Sequence, residues 1–256
     1  MNVSTTPPII ITEHLSHRFE DGTDALKEIS LTIDQGAFVV LCGANGSGKT
    51  TLLKHFNGLM RPTAGAVRVE GVRLGRNTRK ARQTVGLVFQ NADAQIVGET
   101  VAVDVAFGPE NLKLNRDIVD QRVDEALHMT GLTHYSQKPP HTLSGGEKRR
   151  LAIAGVLAMQ PKVLLLDEPF ANLDWPSTRQ VLSQLIDLHR QGTTIVVATH
   201  DIEKIVAHAN RLIVLNQGSI ALDGEPVSTA RQVEQYGVRV PCALQMGADI
   251  TPWVDG

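Results

Sequence analysis

Five short apolar runs punctuate the chain, at residues 38–42, 84–89, 162–166, 193–198 and 211–215. Each is apolar at most positions rather than at alternate ones, and each is succeeded by turn signals and helical patterns. Runs of that kind predict strands buried on both faces, as in a parallel sheet covered by helices. The stretch 176–191 predicts a helix with Pro176 near its first position and Val181, Leu182, Leu185, Ile186 and Leu188 inward. A second helix is predicted over 115–130, carrying Ile118, Val119, Val123, Ala126 and Leu127 on its inner face. Residues 91–158 lack strong strand runs and read as a helical insert. Residues 9–72 hold short alternating pieces around a glycine loop, which predicts an antiparallel layer on the main sheet. After Asp223 the pattern weakens, and Pro and Gly break the tail to Gly256. The expected fold class is α/β.

Composition narrows this little. With 256 residues, 42% of them hydrophobic, the chain can build one sizeable core. Its formal net charge of −2 gives no whole-chain argument for nucleic acid, and none is expected as a partner. The two cysteines, Cys42 and Cys242, form no CxxC pair, which fits a reduced, intracellular setting. The opening residues MNVSTTPPII lack the basic start and apolar run of a signal peptide. Apolar stretches such as Val163-Leu164-Leu165-Leu166 fall far short of the ~18–20 residues that span a bilayer. Work at a membrane therefore requires another chain as anchor.

The chemistry begins at Gly43-Ala44-Asn45-Gly46-Ser47-Gly48-Lys49-Thr50, which fits G-x-x-x-x-G-K-[ST] between an apolar strand and a helical run at 51–57. Glycines let backbone N–H groups turn inward as an anion cradle, and the helix start adds its positive dipole end. Lys49 is expected to reach the β- and γ-phosphates of ATP, and the Thr50 hydroxyl to hold Mg²⁺. Thr51, opening the helix, joins the binding set. Further on, the run 163–166 ends in Asp167-Glu168. Carboxylates at a strand end sit where ligands bind in open α/β sheets, so Asp167 suits Mg²⁺ and Glu168 suits polarising the attacking water.

Leu143-Ser144-Gly145-Gly146-Glu147 and the helical run after it resemble the signature of the ATP-binding-cassette family. That resemblance covers the chain to about residue 225. It implies a P-loop NTPase, RecA-like core with an antiparallel β layer and an α-helical subdomain at about 91–158. Phe19 resembles the aromatic that stacks on adenine, and Gln90 the glutamine that senses γ-phosphate and metal. Asp174 closes Ala171-Asn172-Leu173-Asp174, which is similar to the D-loop. His200 resembles the switch histidine that contacts the γ-phosphate. Ser144, Gly145 and Gly146, placed before a helix, read as a second anion cradle. In the family such a signature closes over the ATP of a second, head-to-tail ATPase subunit, identical or homologous.

The segment 89–112, with Phe89-Gln90-Asn91 and Asp104-Val105-Ala106-Phe107-Gly108-Pro109, looks like that of energy-coupling-factor importers. It departs from them at Ala92 and at Ala102-Val103. The likeness implies an ATPase at the cytoplasmic face of the membrane that powers uptake of a transition-metal ion such as cobalt or nickel, or of a vitamin. A transmembrane coupling protein would dock near 89–112, with Ile96, Val97 and Phe107 suiting a groove for its helix. A substrate-binding membrane protein would be engaged indirectly. The alternatives are another ABC transporter class, or a soluble cassette ATPase of DNA maintenance or translation. The first of those soluble groups carries long coiled-coil arms between phosphate loop and signature, and the second usually carries two cassettes; neither feature is present here. The tail at 226–256 is expected to support a dimer.

Overall fold

A computed structural model describes residues 7–75 and 78–254. The reading of the N-terminus falls largely on residues 1–6, outside the described residues, as do the last two residues of the tail.

β1 (Pro8–Arg18) and β2 (Asp24–Asp34) pair antiparallel and bury Leu15, Ile29, Leu31 and Ile33. β3 (Phe38–Cys42) runs through the glycine loop into α1 (Lys49–Phe56). β4 (Ala64–Val69) and β5 (Val72–Arg73) complete a four-stranded antiparallel layer ordered β2-β1-β4-β5. α2 (Arg79–Thr84) leads into β6 (Val85–Val88), and then α3 (Val101–Asn111), α4 (Arg116–Met129) and α5 (Gly145–Leu157) form a helical lobe. The chain returns through β7 (Val163–Asp167), α6 (Trp175–Arg190), β8 (Thr194–Thr199), β9 (Arg211–Asn216) and β10 (Ser219–Gly224). The second sheet runs β10-β9-β3-β8-β7-β6, parallel except for β10 against β9.

The continuous apolar runs have a simple cause. Alternate residues of β3 serve two cores: Phe38, Val40 and Cys42 face the helical lobe and α6, while Val39 and Leu41 face α1 and the antiparallel layer. β7 and β8 divide in the same way, Leu164 and Leu166 against Val163 and Leu165, Ile195 and Val197 against Val196 and Ala198. A sheet covered on both faces leaves no polar side to alternate with.

Some boundaries move. α5 begins at Gly145, so Gly145 and Gly146 lie inside its first turn rather than before it. Ser144 is its N-cap in a capping box with Glu147, which supplies the local reason for that start. α6 begins at Trp175 behind the N-cap Asp174, with Pro176 second. Ile118 does not face inward but is 39% exposed; Val119, Val123 and Ala126 form the buried stripe, and Ile118 is off that line. The tail folds back through two short helices, α7 (Pro226–Ala230) and α8 (Cys242–Gln245), and buries Ala230, Val233, Val238, Leu244 and Val254 in the core shared with the lobe.

Parallel order places the site. β3, β8, β7 and β6 are adjacent and point the same way, so the loops leaving their C-terminal ends meet at one edge.

Candidate active site

At that edge, Phe19, Asn45, Gly46, Ser47, Gly48, Lys49, Thr50, Thr51, Gln90, Asp167, Glu168 and His200 line one cavity of about 610 Å³. Thr23, Asp24 and Ala25 at the start of β2 complete its wall. Gly43 and Ala44 are not in the lining; their carbonyls accept from the Lys49 ammonium. Ser144, Gly145, Gly146 and Asp174 are absent from the lining.

Two glycines are required by the loop's shape. Gly43 (φ +152°) and Gly48 (φ +105°) have backbones that side chains resist. A Cβ would fall 2.2 Å from the Leu215 carbonyl oxygen at the first and 2.6 Å from that of Ala25 at the second. With Gly48 as N-cap, Lys49, Thr50 and Thr51 form the first turn of α1, whose N–H groups have no intrahelical acceptor. The Lys49 ammonium donates to the carbonyls of Gly43 (2.8 Å) and Ala44 (3.1 Å). Burial pulls its pKa below the ordinary lysine value, against the pull of Glu168 and Asp167.

The Thr50 hydroxyl donates to Asp167 Oδ2 at 2.7 Å. Asp167 Oδ1 and Ser47 Oγ are buried without partners. Burial pushes the Asp167 carboxyl above the usual carboxylate range, with the Thr50 hydrogen bond opposing. A hydroxyl and a carboxylate side by side, with one orphaned oxygen, form an incomplete set of hard oxygen donors. That is what Mg²⁺ uses when phosphates supply the remainder. Among the described residues no cluster of three His, Cys, Asp or Glu could hold a metal by itself.

Glu168 sits just past β7 in the left-handed region (φ +47°), with its N–H donating to the Ala198 carbonyl. A non-glycine residue held there carries strain, a feature that clusters at functional sites. Its Oε2 accepts from the Thr199 hydroxyl (2.9 Å), and its Oε1 accepts from the His200 N–H (3.0 Å) and Nδ1 (2.8 Å). The carboxylate thereby orients the imidazole through Nδ1 and keeps one lone pair, on Oε2, free for a water.

Sequence reasoning missed Thr199 and Arg149. Thr199 falls between the apolar run 193–198 and His200, where a lone hydroxyl carries no signal of its own. Arg149, 5% exposed, donates to the carbonyls of Phe89 (2.7 Å) and Gln90 (2.6 Å). An arginine in a basic run, Lys148-Arg149-Arg150, carried no sign of burial. Gln95 and Asp104 prove architectural. The Gln95 amide continues the edge of β6 by accepting from Phe89 N–H (3.0 Å) and donating to the Leu87 carbonyl (3.3 Å). Asp104 accepts from the N–H groups of Val97 and Gly98.

A phosphate cradle, an acidic strand end and a histidine-braced carboxylate on this two-layered sheet define an ATP-binding-cassette ATPase. The family model described as ABC transporter matches residues 26–171. The energy-coupling factor transporter ATP-binding protein of Methanocaldococcus jannaschii is 45% identical over 229 residues, which cover 88% of this chain and 82% of that one. CbiO1 from Clostridium perfringens, part of the ABC transporter complex CbiONQ, superposes with a TM-score of 0.80 at 38% identity, covering 89% of this chain and 95% of that one. A dimeric ATP-binding cassette in a post-hydrolysis state, bound to ADP and Pi, superposes with a TM-score of 0.77 at 30% identity, covering 84% and 98%. The chain belongs to the ABC transporter ATPases, within the energy-coupling factor group. It binds and hydrolyses ATP to power transport. Among the described residues no helix is long and apolar enough to cross a membrane.

Proposed function

We propose that this ATPase works at the cytoplasmic face of a membrane as one of two head-to-tail cassettes, each ATP held with Mg²⁺ between two chains. The cargo class is a transition-metal ion such as cobalt or nickel, or a vitamin. The observation carrying the nucleotide chemistry is the convergence of Lys49, Thr50, Asp167, Glu168 and His200 on one cavity with two orphaned buried oxygens. Lys49 neutralises the β- and γ-phosphates, and Phe19 at the rim stacks on adenine. Thr50, Asp167 and Gln90 would hold Mg²⁺, which would supply positive charge to neutralise the phosphates. Glu168 orients the attacking water, and His200, steadied by Glu168, contacts the γ-phosphate. In Glu168→Gln, turnover should fall ~10²- to 10³-fold while ATP binding persists; unchanged turnover would remove Glu168 from this role.

Exposure supports a docking face on α3 and the turn that precedes it. Val97, Val103 and Phe107 are exposed, with Ile96 half-buried beside them. Asp104 holds the Val97–Gly98 turn in place beneath them. An apolar face of this kind suits a partner helix. Phe107→Asp with Val103→Asp should abolish co-purification with a transmembrane subunit while ATP binding is kept. Undiminished capture would place the partner elsewhere.

The unit 1–225 is the ATPase domain, and the tail braces it for dimerisation. In support, Gly237 lies beside Ala44 of the phosphate loop, Glu203 accepts from the Cys242 N–H, and Trp253 meets Trp175 at the start of α6 with ring centroids 4.7 Å apart.

A further inference from the structure

Arg149 is buried, and its two terminal nitrogens grip carbonyl oxygens rather than a carboxylate. Those oxygens belong to the consecutive residues Phe89 and Gln90, where the chain has left β6 and the strand ladder no longer serves them. Charge-assisted hydrogen bonds of this length are strong, and a buried guanidinium that lost them would be left uncompensated. The neighbouring Lys148 pairs with Asp93 at 2.7 Å in the turn just beyond Gln90. Both basic residues belong to α5, the thirteen-residue helix whose N-cap is Ser144. Ser144 and Arg149 are therefore on one rigid element, and Gln90 is bolted to it by its own backbone. At the helix start, Gly146 lies against Ser177 of α6 so closely that a Cβ would fall 2.4 Å from the hydroxyl. The signature turn thus packs directly against α6.

We propose that Arg149 is the positioning residue that couples Gln90 to the signature. When Gln90 shifts toward the nucleotide, the fork carries α5, and with it Ser144, Gly145 and Gly146, toward the second subunit. The proposal rests on the nucleotide-sensing role given to Gln90 above. A lysine cannot replace the fork, because one ammonium on a flexible stem does not hold two consecutive carbonyls in fixed geometry.

Hydrogen–deuterium exchange on the full chain with and without Mg²⁺ and AMP-PNP reads the coupling directly. In the natural chain, nucleotide should change exchange in both 89–95 and 143–148. In Arg149→Lys the first segment should still respond, and the second should lose about half of its response or more. Arg149→Ala should lose nearly all of it. In turnover, kcat should drop ~10-fold with KM for ATP within ~2-fold, the pattern of a lost transition-state arrangement rather than lost binding. A signature segment that responds fully in both variants would overturn the coupling role alone. So would losses that merely track a lowered melting temperature, or that affect 89–95 and 143–148 alike. If 89–95 is silent in the natural chain while AMP-PNP binds, the sensing role of Gln90 falls and this proposal falls with it.

Discussion

The chain has two glycine-rich helix starts, and they are built in opposite ways. The phosphate loop before α1 is enclosed, with Ser47 and Lys49 buried, and it holds Gly43, Gly46 and Gly48 at positive φ. The signature before α5 has an ordinary capping box, Ser144 and Gly145 are exposed, and neither of its glycines has positive φ. The first wraps an anion within its own chain. The second leaves Ser144 and Gly145 exposed at the start of α5, outside the lining of its own chain's cavity. An exposed helix start that lies outside its own cavity fits the proposed head-to-tail partner.

Complementation tests this contrast most severely. Lys49→Ala should abolish ATP binding and cut turnover ~10³-fold or more. Ser144→Arg should leave binding by the single chain within ~2-fold while cutting turnover comparably. Mixing the two dead variants should restore activity, because the mixed pair keeps one site with an intact loop from one chain and an intact signature from the other. No recovery in a proven mixed dimer would show that each signature serves its own chain.

Stability separates the same two turns with smaller effects. Gly48→Ala forces a side chain against the Ala25 carbonyl at φ +105° and should cost roughly 2 kcal/mol or more. Gly145→Ala meets nothing within 4 Å in a helical backbone and should stabilise by about 0.5 kcal/mol. Urea unfolding of both variants measures the difference, and equal effects would contradict the two geometries.

The smallest expected effect concerns His55, on the buried face of α1. Its Nδ1 faces the Thr51 carbonyl at 2.7 Å, while Nε2 is buried with no partner to receive a second proton. Burial pulls its pKa below the ordinary histidine value, and the facing ring of His17 adds to this. Between the folded value and the unfolded value of about 6.5, the unfolded chain binds a proton that the folded chain does not. Stability should therefore fall as pH drops through that window, and the penalty should vanish above it. His55→Leu should flatten this acid limb in urea midpoints taken from pH 5 to 7.5; an unchanged slope would assign the limb to other groups.

Much of this was legible in one dimension, and the reason is locality. The phosphate loop, the acidic pair at 167–168, the glycine turn at 144–146 and the fully apolar strands each depend on a few consecutive residues and on backbone rules that hold in any protein. Fold class and the nucleotide chemistry could be inferred from them. Other features needed the folded chain. Whether Ile118 or Val119 faces inward depends on the packing of α4 against α3 and α5. The tail buries its apolar residues at irregular spacing on helices of five and four residues, too short to show a period. The Thr199 brace on Glu168 spans 31 positions, and the Arg149 grip on Phe89 spans 60. Such contacts form only because parallel strands bring distant segments to one edge. The residues that carry the chemistry could be read from the sequence; those that hold them in register became visible only in three dimensions.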